Sequence, residues 1–114
     1  MISKTHRFHG YNSLNFAYRK TRPIKGKGLS LRAIKNPRRK TFRVAVVVSR
    51  KVHKSAVKRN RIRRRIYEII RKEHNINKPY DLIIMVYDGF LADIDSQKLS
   101  AEITRLFKKA GVIK

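Results

Sequence analysis

One mixed α/β domain is predicted for this 114-residue chain by three features: two nearly continuous apolar runs, a long segment of helical period between them, and a second helical segment after the last run. The runs are Phe42–Val48 and Tyr80–Tyr87, the longer helical segment extends from Ser55 to about Glu73, and the closing one follows Asp95-Ser96. With 41% hydrophobic residues, a chain of this size can bury roughly two-thirds of its unfolded surface in a single core. Residues 1–114 therefore read as one domain, with residues 1–10 expected to be a loose, flexible segment.

In chain order, Tyr11, Leu14 and Tyr18 have helical spacing and predict a weak helix near Ser13 to Lys20. Arg22, Pro23 and Gly26-Lys27-Gly28 then read as a loop. Leu29, Leu31 and Ala33 alternate with Ser30, Arg32 and Ile34, which predicts a strand. Asn36-Pro37 and three basic residues form a turn before Phe42–Val48, so these two strands are expected to make a hairpin with a basic tip. In the long helix, Ile62, Ile66, Ile69 and Ile70 form one narrow apolar stripe. Asn75 to Pro79 ends it, and Leu82–Val86 forms the centre of a buried strand. Asp88-Gly89 turns the chain, and Leu99, Ile103, Leu106 and Phe107 give the closing helix its amphipathic face. No internal repeat or low-complexity segment is evident.

The charge is divided unevenly. Before the first acid, Glu68, stand 22 Lys or Arg in 67 residues, and the remaining 47 residues carry 8 Lys or Arg against 7 Asp or Glu. The net +23 thus belongs to the front of the chain. Like charges at that density repel one another, and a polyanion relieves the repulsion. Nucleic acid is the leading candidate, because each neutralised phosphate releases a condensed counterion.

The charge is densest from Arg50 to Arg65, where nine of sixteen residues are Lys or Arg. At ~100° per residue, Ile66 and Ile69 fall within about 40° of Ile62, while Asn60, Arg64 and Arg71 fall on the opposite side. One side of the helix anchors to the core and the other presents guanidinium groups suited to bidentate phosphate contact. An ordinary solvated helix mixes Glu with its cations at i,i+4, which this one does not.

Other classes are disfavoured. The absence of cysteine excludes disulfides and thiolate metal sites and is compatible with a cytoplasmic protein. The longest apolar stretches are five residues, too short to span a bilayer. The first 27 residues have the composition of a transit peptide, but the spacing of Tyr11, Leu14 and Tyr18 favours packing against a folded body. Asp81, Asp88, Asp93 and Asp95 are expected to lie remote from the basic helix, with Asp93 and Asp95 in a turn and a helix cap. His6, His9, His53 and His74 are scattered, and His6 with His9 alone is a weak metal signal. No nucleophile, base and orienting group can be assembled, so neither catalytic nor metal-binding residues are assigned.

The run Val46 to Arg71, with Ser49-Arg50-Lys51, Arg59-Asn60-Arg61 and Ile62-Arg63-Arg64, resembles the Arg-Asn-Arg signature of the bacterial ribonuclease P protein subunit. Leu14 to Tyr18, Gly28 to Arg32, Asn36-Pro37 and Tyr80 to Ile84 resemble that family's first helix, first strand and last strand, so about 95 residues follow its order of elements. The resemblance implies a two-layer α/β (α+β) sandwich, a small mixed sheet with a long central helix and a left-handed βαβ crossover. It also implies the protein subunit of an endoribonuclease that removes the 5′ leader of precursor tRNA, with catalysis and the Mg²⁺ ions residing in the RNA subunit.

On that resemblance, Arg50, Lys51, Lys54, Lys58, Arg59, Asn60, Arg61, Arg63 and Arg64 would contact the catalytic RNA, and Leu14, Tyr18, Arg32, Met85 and Tyr87 would line a cleft for the leader. The implied partners are the catalytic RNA and precursor tRNA, with no membrane and a monomeric free protein. Thr21 stands where the family often has Gly, and Tyr87 where a basic residue is common. A structural RNA-binding protein of ribosomal type, without a catalytic partner, is the alternative; it would need the basic helix but no cleft for single strands. A DNA-compacting protein is a weaker third reading.

Overall fold

A computed structural model describes residues 22–35, 42–73 and 80–113. The expected first helix, the segment 1–10 and the basic tip after Asn36-Pro37 lie outside the described residues. The elements are β1 (Ile24–Lys25), β2 (Leu29–Lys35), β3 (Arg43–Val48), α1 (Ala56–Lys72), β4 (Tyr80–Val86), a 3-10 turn (Gly89–Ala92) and α2 (Ser96–Ala110).

The four strands form one mixed sheet in the order β1-β2-β4-β3. β4 is antiparallel to β2, from Leu29↔Val86 to Lys35↔Tyr80, and parallel to β3, from Arg43↔Asp81 to Val48↔Val86. The expected β2–β3 hairpin therefore does not form, because β4 lies between its two arms. The reason is burial: Asp81, Leu82, Ile83 and Ile84 are all buried, and a strand apolar on both faces is covered fully only at the centre of a sheet. Parallel pairing of β3 with β4 in turn requires a long crossover, which α1 provides.

β1 falls in the segment expected to be loop. At two residues it is too short to carry a periodic signal, yet it pairs antiparallel with β2 through Ile24↔Leu31 and Lys25↔Ser30. Gly26 N donates to Leu29 O at 2.8 Å to close this tight turn. Gly28, at φ +79, takes a conformation that side chains rarely adopt.

One sheet face carries Leu29 and Leu31 from β2, Val44, Val46 and Val48 from β3, and Leu82, Ile84 and Val86 from β4, packed against both helices in one core. α1 starts at Ser55, whose Oγ accepts from Lys58 N at 3.3 Å, and ends at Glu73, as the change of period predicts. Its buried residues are Ile62, Ile66 and Ile70; the stripe follows i, i+4, i+8, which leaves Ile69 partly buried on its flank. α1 also covers the edge of the sheet. Val46 N donates to Tyr67 Oη at 3.2 Å, and Arg63 Nη1 donates to Val48 O at 3.4 Å. Polar groups of an edge strand otherwise invite pairing with another chain.

α2 is capped by Asp95, whose Oδ1 accepts from Gln97 N at 3.3 Å. It ends at Gly111, φ 76, where Val112 N returns to Phe107 O at 3.0 Å and brings buried Val112 and Ile113 back onto the core. Glu102 fastens this helix to the β1–β2 turn: its Oε2 accepts from Lys27 N at 2.6 Å, and its Oε1 from Arg105 Nε at 2.6 Å. The Arg105 guanidinium holds the Glu102 carboxyl below the usual carboxylate range.

A carboxyl whose pKa is lower in the folded than the unfolded state stabilises fully above the ordinary value of about 4.3. That contribution is lost as pH falls through the folded value. Glu102→Gln is thus expected to cost about 1–2 kcal/mol at neutral pH and to flatten the acid side of the stability profile, read from urea unfolding at stepped pH. An unchanged acid side would leave Glu102 without this role.

Candidate nucleic-acid interface

The segment from Ser49 to Ser55 carries the chain from β3 into α1. Val52 N closes a turn on Ser49 O at 3.1 Å, and His53 Nδ1 accepts from Ser55 N at 3.0 Å just before the helix. Arg50, Lys51 and Lys54 are exposed on this loop. Arg59 reaches back from the first turn of α1, its Nη1 donating to His53 O at 2.8 Å and Lys54 O at 3.0 Å. Arg59 is therefore a latch on the loop, and not only the RNA-facing cation that the family resemblance implies.

The other cations fall into two groups. Arg63 donates to Val48 O and to Asn60 Oδ1. Arg65, which the charge pattern does not distinguish from its neighbours, donates through Nη1 to Leu91 O at 2.7 Å and through Nη2 to Ile94 O and Ser96 Oγ, tying α1 to the 3-10 turn and to α2. Arg61, Arg64 and Asn60 instead stand exposed on the outer side of α1. Arg61, Arg64, Arg65 and Lys72, with Glu68 and Ser96, border a groove of ≈ 420 Å³. The Arg71 guanidinium, 3.0 Å away, holds the Glu68 carboxyl below the usual carboxylate range.

One expectation about the acids is corrected. Asp93 is not remote from the basic helix, since Lys58 Nζ lies 3.4 Å and Arg61 Nη2 4.0 Å from its Oδ1. The 3-10 turn packs onto α1 and carries Asp93 there, a proximity invisible across 35 residues of sequence. Asp93 and Asp95 do cap the 3-10 turn and α2, as expected.

The sheet face turned away from α1 carries a second constellation. Ala45 and Ile83 form a small apolar cluster there with Ile34 and Val47. Strand alternation puts Arg32 and Met85 on this face, at the registers Arg32↔Ile83 and Ser30↔Met85. Tyr87 continues it beyond the end of β4, 54% exposed, with Tyr87 N bonded to Gly28 O at 2.7 Å and Tyr87 Oη accepting from Ser30 Oγ at 3.1 Å. Arg32, Met85 and Tyr87 are thus brought together, while Leu14 and Tyr18 lie outside the described residues. Among the described residues, no three His, Cys, Asp or Glu side chains are grouped to hold a metal. No helix there is long and apolar enough to cross a membrane.

The fold and its surfaces define a class: a small, strongly basic α/β sandwich with a cationic helix on one side of a mixed sheet and a mixed aromatic and polar face on the other. The family model Ribonuclease P matches residues 2–111. A ribonuclease P protein component from Prochlorococcus marinus (strain AS9601) is 30% identical over 127 residues, covering 99% of this chain and 98% of that protein. Among solved structures, the Staphylococcus aureus RNase P protein matches with a TM-score of 0.80 at 22% identity, covering 96% of this chain and 98% of that one. The RNase P protein from Thermotoga maritima matches at 0.79 and 20% identity, covering 90% and 96%. This chain belongs to the ribonuclease P protein family.

Proposed function

We propose that this chain binds the catalytic RNA of ribonuclease P through the outer side of α1 and the Arg50–Lys54 loop, and binds the 5′ leader of precursor tRNA on the opposite sheet face. Membership in the family implies involvement in tRNA processing by an endoribonuclease and partnership with the ribonuclease P RNA. The protein promotes leader removal by Mg²⁺ held mainly by that RNA, and works in the cytoplasm as a subunit that is monomeric when free.

The observation that carries the reading is the pairing of two unlike surfaces. α1 offers exposed guanidinium groups for phosphates, whereas the far face offers Arg32 for the backbone and the half-exposed Tyr87 ring for a base. A protein that only neutralised an RNA fold would have no use for the second surface. Neutralised phosphates repel less, so the protein lowers the Mg²⁺ concentration that the RNA needs.

The test compares precursor tRNA carrying a leader with mature tRNA, each bound to the reconstituted holoenzyme. Tyr87→Ala is expected to weaken precursor binding by ~1–3 kcal/mol, the worth of one stacked base, and to spare mature tRNA. Tyr87→Phe, which keeps the ring and loses only the contact with Ser30, should behave nearly as wild type. Equal losses for both RNAs would make Tyr87 a packing residue and refute its role in leader binding.

A further inference from the structure

Phe90 has no part in the assignments above. It is 43% exposed in the 3-10 turn, although its neighbours Leu91 and Ala92 are buried at 1% each. A single exposed ring is ordinary on a protein surface; what sets Phe90 apart is a second exposed aromatic, Tyr87, three residues before it. The Phe90 backbone is tied down on both sides. Phe90 N donates to Asp88 Oδ1 at 3.1 Å, and Phe90 O accepts from Asp93 N and Ile94 N, both at 3.1 Å.

The ring also rests on Gly28. A Cβ at that position would stand 2.6 Å from Phe90 Cε1, a separation that side chains do not tolerate. The same Gly28 carbonyl accepts from Tyr87 N and Asp88 N. One glycine backbone therefore braces both Tyr87 and Phe90, whose Cα atoms, three residues apart, are at most about 11 Å from one another. Behind them, the turn abuts the basic loop: a Cβ on Gly89 would stand 3.0 Å from Val52 O and 3.3 Å from His53 Cδ2. Exposed Lys27 precedes Gly28, and exposed Lys51 and Lys54 flank Val52 and His53.

We infer that Phe90 is a second stacking residue for single-stranded RNA, taking the base of a leader nucleotide as the strand passes from the Tyr87 face toward the Arg50–Lys54 loop. This rests on the leader-binding role proposed above. The surrounding charge selects the occupant. Phe90 rests on Gly28 next to exposed Lys27, with the Asp88 carboxylate bonded to its backbone N–H and the basic loop behind the turn. Such a setting suits a base on a phosphate backbone, since stacking tolerates any base while cations follow the chain. It suits an apolar protein surface poorly, because the lysines would have to be desolvated.

The experiment uses the reconstituted holoenzyme with Phe90→Leu, which keeps apolar packing on Gly28, and Phe90→Tyr, which keeps the ring. Precursor tRNA carries 2-aminopurine at successive leader positions. Phe90→Leu is expected to weaken precursor binding ~5- to 150-fold, the equivalent of one lost stack, with mature tRNA unaffected. At one leader position the 2-aminopurine quenching should disappear in Phe90→Leu and persist in Phe90→Tyr. If Phe90→Leu binds both RNAs as wild type does while Tyr87→Ala discriminates between them, the leader face stands and Phe90 has no role on it. Equal weakening of precursor and mature tRNA would make Phe90 structural and overturn the inference. Failure of both Tyr87→Ala and Phe90→Leu to discriminate would remove the leader face and this inference together.

Discussion

Asp81→Ala is expected to destabilise the fold by about 3 kcal/mol, near the lower end for breaking a buried ion pair. The Asp81 side chain is 6% exposed, and it accepts from Arg43 Nε and Nη2 at 2.8 Å each, in a bidentate pair joining neighbouring positions of β3 and β4. Truncation removes both hydrogen bonds that Asp81 accepts from a guanidinium only 20% exposed. Most of the cost lies in losing that bidentate ion pair from a largely buried site; Arg43 remains close enough to solvent to recover some hydration, which favours the lower end. At about 4 °C per kcal/mol for a domain of this size, Tm should fall by roughly 12 °C. The double substitution Arg43→Met with Asp81→Leu should return most of the loss, because apolar side chains of similar volume then replace the ion pair as a unit. Stability within about 1 kcal/mol of wild type for Asp81→Ala alone would show that the pair contributes little.

That pair also marks where reading the sequence stops. Arg43 and Asp81 are 38 residues apart, and only the β3–β4 register brings them together. Local signals served well where the structure is local: the Ser55 cap, the isoleucine stripe and Glu73 bound α1 as expected, and Asp95 opens α2. The hairpin expectation failed because a turn signal at Asn36-Pro37 says that the chain reverses, but not which strand fills the space beside it. The continuous burial of Asp81 to Ile84 is the trace of a central strand, and the apolar run Leu82–Val86 already carried that information in the sequence. β1 had no such trace, being two residues held by pairing alone.

The candidate site was legible in composition and not in the employment of individual residues. Arg59, Arg63, Arg64 and Arg65 are alike in sequence. In the fold, Arg59 latches the loop, Arg63 reaches the Val48 carbonyl, Arg65 clamps Leu91 and Ile94, and Arg64 stays exposed. A carbonyl brought near by tertiary packing determines which arginine is drawn in, and neither charge density nor helical period encodes it. Phe90 escaped notice for a related reason: one aromatic in a turn has no period, and its exposure follows from the support of Gly28.

Arg61→Ala with Arg64→Ala is expected to weaken binding to the catalytic RNA by ~30-fold at 0.15 M salt and to leave stability nearly unchanged. Each phosphate contact contributes roughly 0.7–0.9 to the slope of log K against log salt, or about 5-fold at this ionic strength relative to 1 M. Both side chains are exposed, and Arg61 gives up only a 4.0 Å pairing with Asp93, worth at most about 1 kcal/mol at the surface. Arg59→Ala should behave differently. It breaks two hydrogen bonds to loop carbonyls, so about 1–2 kcal/mol of stability is expected to go with any loss of RNA affinity. Unfolding measured beside binding therefore separates a contact from a latch. Asp93→Asn supplies the opposite arm: it frees Lys58 and Arg61 from a competing carboxylate, and affinity should rise a few-fold, as an added contact does. An unchanged salt slope in the Arg61→Ala, Arg64→Ala protein would place the RNA elsewhere on the surface, however basic this helix is.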